Sequence, residues 1–254
     1  MPNRGILLSG LDTERRFETP APPKPTGLMA FFCVFVVIGM AANIGDLLFF
    51  HLVVQPLLIP ILMVFLYFYP LNVKDGKKII VLGLLFSWIG DILLIFESFN
   101  SIFFVLGLIF YLSATISYTY YLLFINQTSP YAISFIHKQP WWVSIIIIYA
   151  FFLTALLFPD FTGIKILITI YTVIICTMLI SALYVCNRIN KPSGFIYILS
   201  ALFFLISVSL VTINKFCHII PYCGAYILLT YAIGQYFIIK GFTKIAETNL
   251  FYKQ

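Results

Sequence analysis

The 254-residue chain is 62% hydrophobic and 18% aromatic but only 9% charged, with a mean hydropathy of +1.05. Soluble domains carry about a quarter charged residues, so this composition excludes a soluble enzyme and describes an all-α, polytopic transmembrane bundle. The net charge of +6 then reports orientation and attraction to anionic headgroups of the lipid bilayer, and no nucleic-acid partner is expected.

Residues 1–27 are mostly polar, and Pro20, Pro22, Pro23 and Pro25 break any helix there, which predicts a flexible cytoplasmic N-terminal arm. The arm lacks the basic-then-apolar order of a cleaved signal peptide. Eight apolar segments of spanning length follow, near Leu28 to Asn43, Leu47 to Tyr69, Ile79 to Phe96, Ile102 to Ile125, Trp141 to Phe158, Ile164 to Cys186, Phe195 to Ile213 and Tyr222 to Ile239. They define an eight-helix transmembrane domain over 28–240 and leave 241–254 as a short cytoplasmic tail. Charge placement tests that division, because Lys and Arg favour the cytoplasmic side of short loops. With both termini cytoplasmic, 13 of the 15 basic residues fall inside, and only Lys165 and Lys215 fall outside. Adding or dropping one span scrambles this separation. The expected location is the inner membrane if the chain is bacterial and an endomembrane if it is eukaryotic.

In the second span Pro56 and Pro60 remove backbone donors, which bends the helix and frees carbonyls that need partners. The third span is the most informative. Its sixteen-residue apolar run from Val81 to Phe96 holds one carboxylate, Asp91, and such a run makes roughly 24 Å of helix. An ionised side chain at that depth costs about 3 kcal/mol on insertion scales, so Asp91 is protonated, partnered or beside water. Gly83, Ser87 and Asp91 recur at four-residue spacing and form one stripe that faces protein rather than lipid. Gly83 and Ser87 also suit close helix packing alone.

The fourth span carries Tyr111, Thr115, Tyr118 and Thr119 on a related face, the seventh Ser200 and Ser207, and the eighth Thr230, Tyr231 and Gln235. These hydroxyls and amides either line a polar cavity or make ordinary interhelical hydrogen bonds. Asn126-Gln127-Thr128 fits a glycosylation acceptor pattern, but the charge topology puts it inside. Cys33, Cys176 and Cys186 read as packing residues, whereas Cys217 and Cys223 flank the last outside connection, where compartment alone permits a bridge. His51, His137 and His218 lie in separate parts of the chain, so neither a metal nor a cofactor is expected. No nucleophile elbow, phosphate loop or paired-cysteine motif is present. A polar interior centred on Asp91 fits an intramembrane hydrolase, a lipid-binding receptor or a transporter. The absence of repeated halves disfavours the last.

The segment Gly83-Leu84-Leu85-Phe86-Ser87-Trp88-Ile89-Gly90-Asp91-Ile92-Leu93-Leu94 resembles the third-span signature of the YhhN-type lysoplasmalogenase family. Further similarity follows in order: Gln55-Pro56-Leu57, where the family often has Lys-Pro; Gly107-Leu108 with Phe110 and Tyr118; Tyr171, Met178 and Arg188; Ala201 to Ser207; and Thr230-Tyr231 with Gln235 and Gly241. The departures are Val208 where the family has aspartate after Ser207, Thr115 for a frequent His, and Gln55 for the Lys. They bear on activity rather than ancestry. The resemblance implies a hydrolase that cleaves the vinyl ether of a lysoplasmalogen, a lysophospholipid, to a fatty aldehyde and a glycerophospho-alcohol. Asp91 is then the catalytic acid. Ser87, Tyr111, Thr115, Tyr118, Ser207, Tyr231 and Gln235 are the candidates for positioning substrate or water in place of the second acid missing at Val208. The alternative is a non-catalytic protein of the same fold that binds a lysolipid or aldehyde.

Overall fold

A computed structural model describes residues 26–45, 48–69, 74–126, 139–157, 163–186, 188–189 and 191–252. The expected arm falls almost wholly outside these residues, as do Gln127, Thr128 and His137. The described residues form helices and no strand. These are α1 (Thr26–Ile44), α2 (Leu48–Phe68), α3 (Lys74–Ile95), α4 (Ser101–Asn126), α5 (Trp141–Ala155), α6 (Gly163–Cys186), α7 (Lys191–Phe216) and α8 (Cys223–Tyr252). Each expected span falls on one of these helices. Six, namely α1, α3, α4, α6, α7 and α8, are long and apolar enough to cross a membrane by length and composition. With 15 residues, α5 measures only about 22 Å. The protein is a polytopic helical bundle.

Neighbouring contacts close a ring in the order α1, α2, α3, α4, α6, α7, α8 and back to α1. α5 leans on α6 outside this ring, tied to α7 by the hydrogen bond between Tyr149 and Ser209. One end of the ring gathers four connections. Lys215 of α7 pairs with Glu97 in the turn after α3, Cys217 faces the carbonyl of Leu156 after α5, and Asn43 of α1 packs on the bare backbone of Gly224 in α8. At the opposite end α8 runs unbroken past residue 240 to Tyr252, so the segment expected as a tail continues the helix. Phe242 and Ala246 there are buried, and Glu247 accepts a hydrogen bond from Tyr69. Cys217 and Cys223 are free thiols, as are the other three cysteines.

The interior differs along the axis. Towards the α8 C-terminal end it is filled by side chains with no solvent exposure, among them Leu62, Leu66, Ile80, Leu84 and Leu122. Towards the other end it opens into a cavity of about 150 Å³. Asp91 stands where the packed part gives way to the cavity.

Candidate functional site

Asp91 is fully buried, and the neighbouring helix α4 and the more distant α8 supply two of its partners. The Tyr111 hydroxyl of α4 lies 2.6 Å from Oδ1 and the Tyr231 hydroxyl of α8 lies 3.2 Å from Oδ2. Gln55 of α2 reaches the same carboxyl group. All three partners are neutral. The two tyrosine rings meet edge to face, 5.6 Å between centroids, which fixes their hydroxyls on the two sides of one acid.

A second polar layer lies one helical turn away, because Ser87 precedes Asp91 by four residues. Gln235 uses both ends of its amide there. Its nitrogen donates to Ser87 Oγ at 2.9 Å and its oxygen accepts from Tyr118 at 2.8 Å. Both Ser87 and Gln235 are within hydrogen-bond reach of the Tyr231 hydroxyl. Glycines on α3 make room for this arrangement. A Cβ at Gly83 would collide with the ring of Tyr118, and one at Gly90 would lie 3.2 Å from the Tyr111 ring and 3.3 Å from the Gly107 carbonyl. Gly83 and Gly90 are seven residues apart, hence on one face, and each seats one tyrosine of α4.

The free carbonyl expected in α2, one continuous helix from Leu48 to Phe68, has a specific partner. Pro60 has no N–H to give to the carbonyl four residues earlier, that of Pro56. The Trp88 indole of α3 fills the vacancy, donating to Pro56 O at 2.9 Å. This bond ties α3 to α2 beside Gln55 and so holds Gln55 against Asp91.

The cavity is bordered by Gln55, Tyr111, Tyr171, Ser207, Val208 and Tyr231, with Asn43, Thr212 and Gly224 at its outer end. Asp91 does not form part of its wall. The hydroxyls of Tyr111 and Tyr231 and the amide of Gln55 stand between the acid and the open space.

Of the candidates from sequence, Asp91, Ser87, Tyr111, Tyr118, Tyr231 and Gln235 converge on one network. Thr115 stands beside it, donating to the carbonyl of Tyr111 at 2.9 Å and within reach of the Tyr171 hydroxyl. Ser207 borders the cavity, but its hydroxyl points to Ile227 O of α8 at 3.4 Å. Ser200 likewise binds Gly234 O at 2.8 Å, so this serine pair joins α7 to α8. Thr230 bonds within its own helix. Two cavity groups, Gln55 and Tyr171, were not among the candidates. For Gln55 the signal is a lone amide in an apolar helix directly before a proline. No group of three or more His, Cys, Asp or Glu residues that could hold a metal occurs among the described residues.

A helical membrane bundle with one buried acid, two tyrosines on its oxygens and a cavity beyond them is the class that fold and geometry define. Residues 50–242 match the model of the YhhN family, well over half of the chain, and the protein belongs to that family. No curated protein matches the chain, and neither does any solved structure.

Proposed function

We propose that the protein is a lysoplasmalogenase-like hydrolase acting on the vinyl ether of a single-chain phospholipid. The observation that carries this reading is the placement of a buried acid behind two phenol hydroxyls that border a cavity. Vinyl ethers hydrolyse through protonation at the carbon β to oxygen, which generates an oxocarbenium ion. The site therefore needs a proton source, a group that touches that carbon, an anion to balance the cation and a positioned water.

Asp91 supplies the proton. Because it lies behind Tyr111, transfer runs through that hydroxyl. Asp91 gives its proton to the Tyr111 oxygen as the Tyr111 proton moves to carbon, and a hydroxyl rotor can reverse its hydrogen-bond direction in this way. The Asp91 carboxylate left behind balances the oxocarbenium charge. Water from the cavity then adds to the cationic carbon and returns its surplus proton along the same path. The resulting hemiacetal collapses to aldehyde and alcohol, with Asp91 again in its acid form. Gln55 is the group best placed to orient the water, since it meets both Asp91 and the cavity.

The test is release of fatty aldehyde from a lysoplasmalogen by the purified chain, with Asp91→Asn as the control. A second reading, non-catalytic binding of a lysolipid or aldehyde, is favoured by Val208, an apolar side chain on the cavity wall. Specific binding without aldehyde release selects it.

A further inference from the structure

Only two basic residues break the charge separation that orients the chain, Lys165 and Lys215, and both stand at the end where the cavity opens. Lys215 Nζ lies 4.4 Å from the ring centroid of Phe104, and Phe104 borders the cavity. Glu97 pairs with the same ammonium group. Lys165 is one turn before Ile168, another bordering residue, and its Nζ lies 5.9 Å from the ring of Phe216, the neighbour of Lys215. It donates to Leu157 O at 3.0 Å, which occupies one of its three protons.

Helix electrostatics act differently on the two lysines. Lys215 is in the last turn of α7, where a cation complements the helix dipole. Lys165 is the third residue of α6, at the end where a cation is disfavoured. Against the dipole of its own helix and the topological preference for Lys on the other side, Lys165 is held by the Leu157 carbonyl just past the C-terminus of α5 and keeps two protons for an anion.

The spacing fits one particular anion. Phe104 precedes Tyr111 by seven residues, about 10 Å along α4. In a lysophospholipid, five bonds separate the ether oxygen from phosphorus, roughly 6 Å at about 1.2 Å per bond of extended chain. A lysine side chain covers the remaining distance. An ether bond at Tyr111 therefore leaves the phosphate about 4 Å short of the Phe104 level, within reach of a lysine that swings inward from there.

We propose that Lys165 and Lys215 form a phosphate-binding rim on this cavity, and that the ligand is a single-chain phospholipid entering from the non-cytoplasmic leaflet. This rests on the functional reading above and names the part of the substrate that the lysines recognise. Glu97 holds Lys215 in the absence of phosphate and competes with it.

The experiment compares two uncleavable ligands, 1-O-hexadecyl-lysophosphocholine and 1-O-hexadecylglycerol, binding to the full chain in a maltoside detergent, which carries no phosphate. The wild type should prefer the phosphate-bearing ligand by roughly tenfold or more. Lys165→Gln and Lys215→Gln should each reduce that preference, and the double variant should erase it. The corresponding Arg variants should keep it, and Glu97→Gln should strengthen it. Asp91→Asn should leave it unchanged, which separates recognition from chemistry. Equal affinity for the two ligands in the wild type, or a preference that survives in the folded double variant, overturns the rim even if aldehyde release is intact. Failure of a folded wild type to bind either ligand, together with no aldehyde release, overturns both the rim and the hydrolase reading.

Discussion

The two halves of the bundle are built from the same helices and solve opposite problems. In one half, Leu62, Leu66, Ile80, Leu84 and Leu122 are wholly buried, Tyr121 and Tyr197 pair with each other at 3.0 Å, and the Ser193 hydroxyl is buried without a partner. In the other half the helices surround open space, and Tyr111, Tyr171 and Tyr231 border it. The same residue type thus closes one half and furnishes the other. Polar content alone does not mark a site in a membrane bundle. What marks it is polar content beside a volume that packing leaves unfilled, with an acid at the junction.

If that division is correct, substitutions in the open half should cost activity and those in the closed half should cost stability. Asp91→Asn carries the largest expected effect. It keeps the shape and removes the proton source, so aldehyde release should fall by about 10²- to 10⁴-fold while the melting temperature in detergent stays near that of the wild type. A variant that keeps full activity would place the acid elsewhere. One that fails to fold would make Asp91 a structural residue and break the comparison.

Val208→Asp sharpens the comparison from the opposite wall. Val208 is 8% exposed and borders the cavity, so a carboxylate there meets open space rather than lipid and avoids the full insertion cost of about 3 kcal/mol. Restoring an acceptor for the attacking water should raise aldehyde release, by up to about 10²-fold. Stable expression without a gain, from an inactive parent, favours the lipid-binding reading. Strong activity in the unmodified chain would show that Asp91 and its neutral partners suffice.

In the closed half the expected readout changes. Leu122 is fully buried, and Leu122→Ala should destabilise the bundle by about 2 to 5 kcal/mol, seen as a lower melting temperature. Aldehyde release per folded molecule should hold. A loss of activity at unchanged stability would show that the site extends past the Ser87 and Gln235 layer.

Much of this architecture was legible in the chain itself. The eight helices follow from length and hydropathy, and Asp91 from its isolation in an apolar run; that only six of the described helices have spanning length and apolarity did not, because the apolar runs extend past the helix ends. The four-residue spacing of Gly83, Ser87 and Asp91 fixes their common face without knowledge of neighbours. Pairing across the ring was less accessible. Thr230 and Tyr231 are adjacent in sequence, yet one bonds its own helix and the other reaches Asp91, because successive helical residues point about 100° apart. Gln55 was hidden for a related reason. Its approach to Asp91 is supported by the Trp88 bond to Pro56 O, a contact between two helices that no spacing within either one reveals. Tyr171 was marked only by the family resemblance, and nothing within its own helix set it apart as a cavity group among 16 tyrosines.

The smallest expected effect, that of Tyr121→Phe, is the most discriminating when set beside Tyr111→Phe, since one substitution type can be placed in both halves. Tyr111→Phe removes the hydroxyl that stands between Asp91 and the cavity. It should cut aldehyde release steeply and leave the fold intact, because the ring that packs on Gly90 is kept. Tyr121→Phe removes a hydroxyl ten residues away on the same helix, where Tyr197 is its partner and Phe242 packs on the ring. Losing one such hydrogen bond costs about 1 kcal/mol, somewhat more if the Tyr197 hydroxyl is left buried without a partner. Thermal melting should register that loss while aldehyde release per folded molecule stays level. The pair is informative because the packing lost is nearly the same in both cases, and only the surroundings of the hydroxyl differ. If Tyr121→Phe lowers turnover as far as Tyr111→Phe at unchanged stability, the closed half is not merely packed. Its hydroxyls would then belong to the proton path, and the boundary at Ser87 and Gln235 would have to move toward the far end of α8.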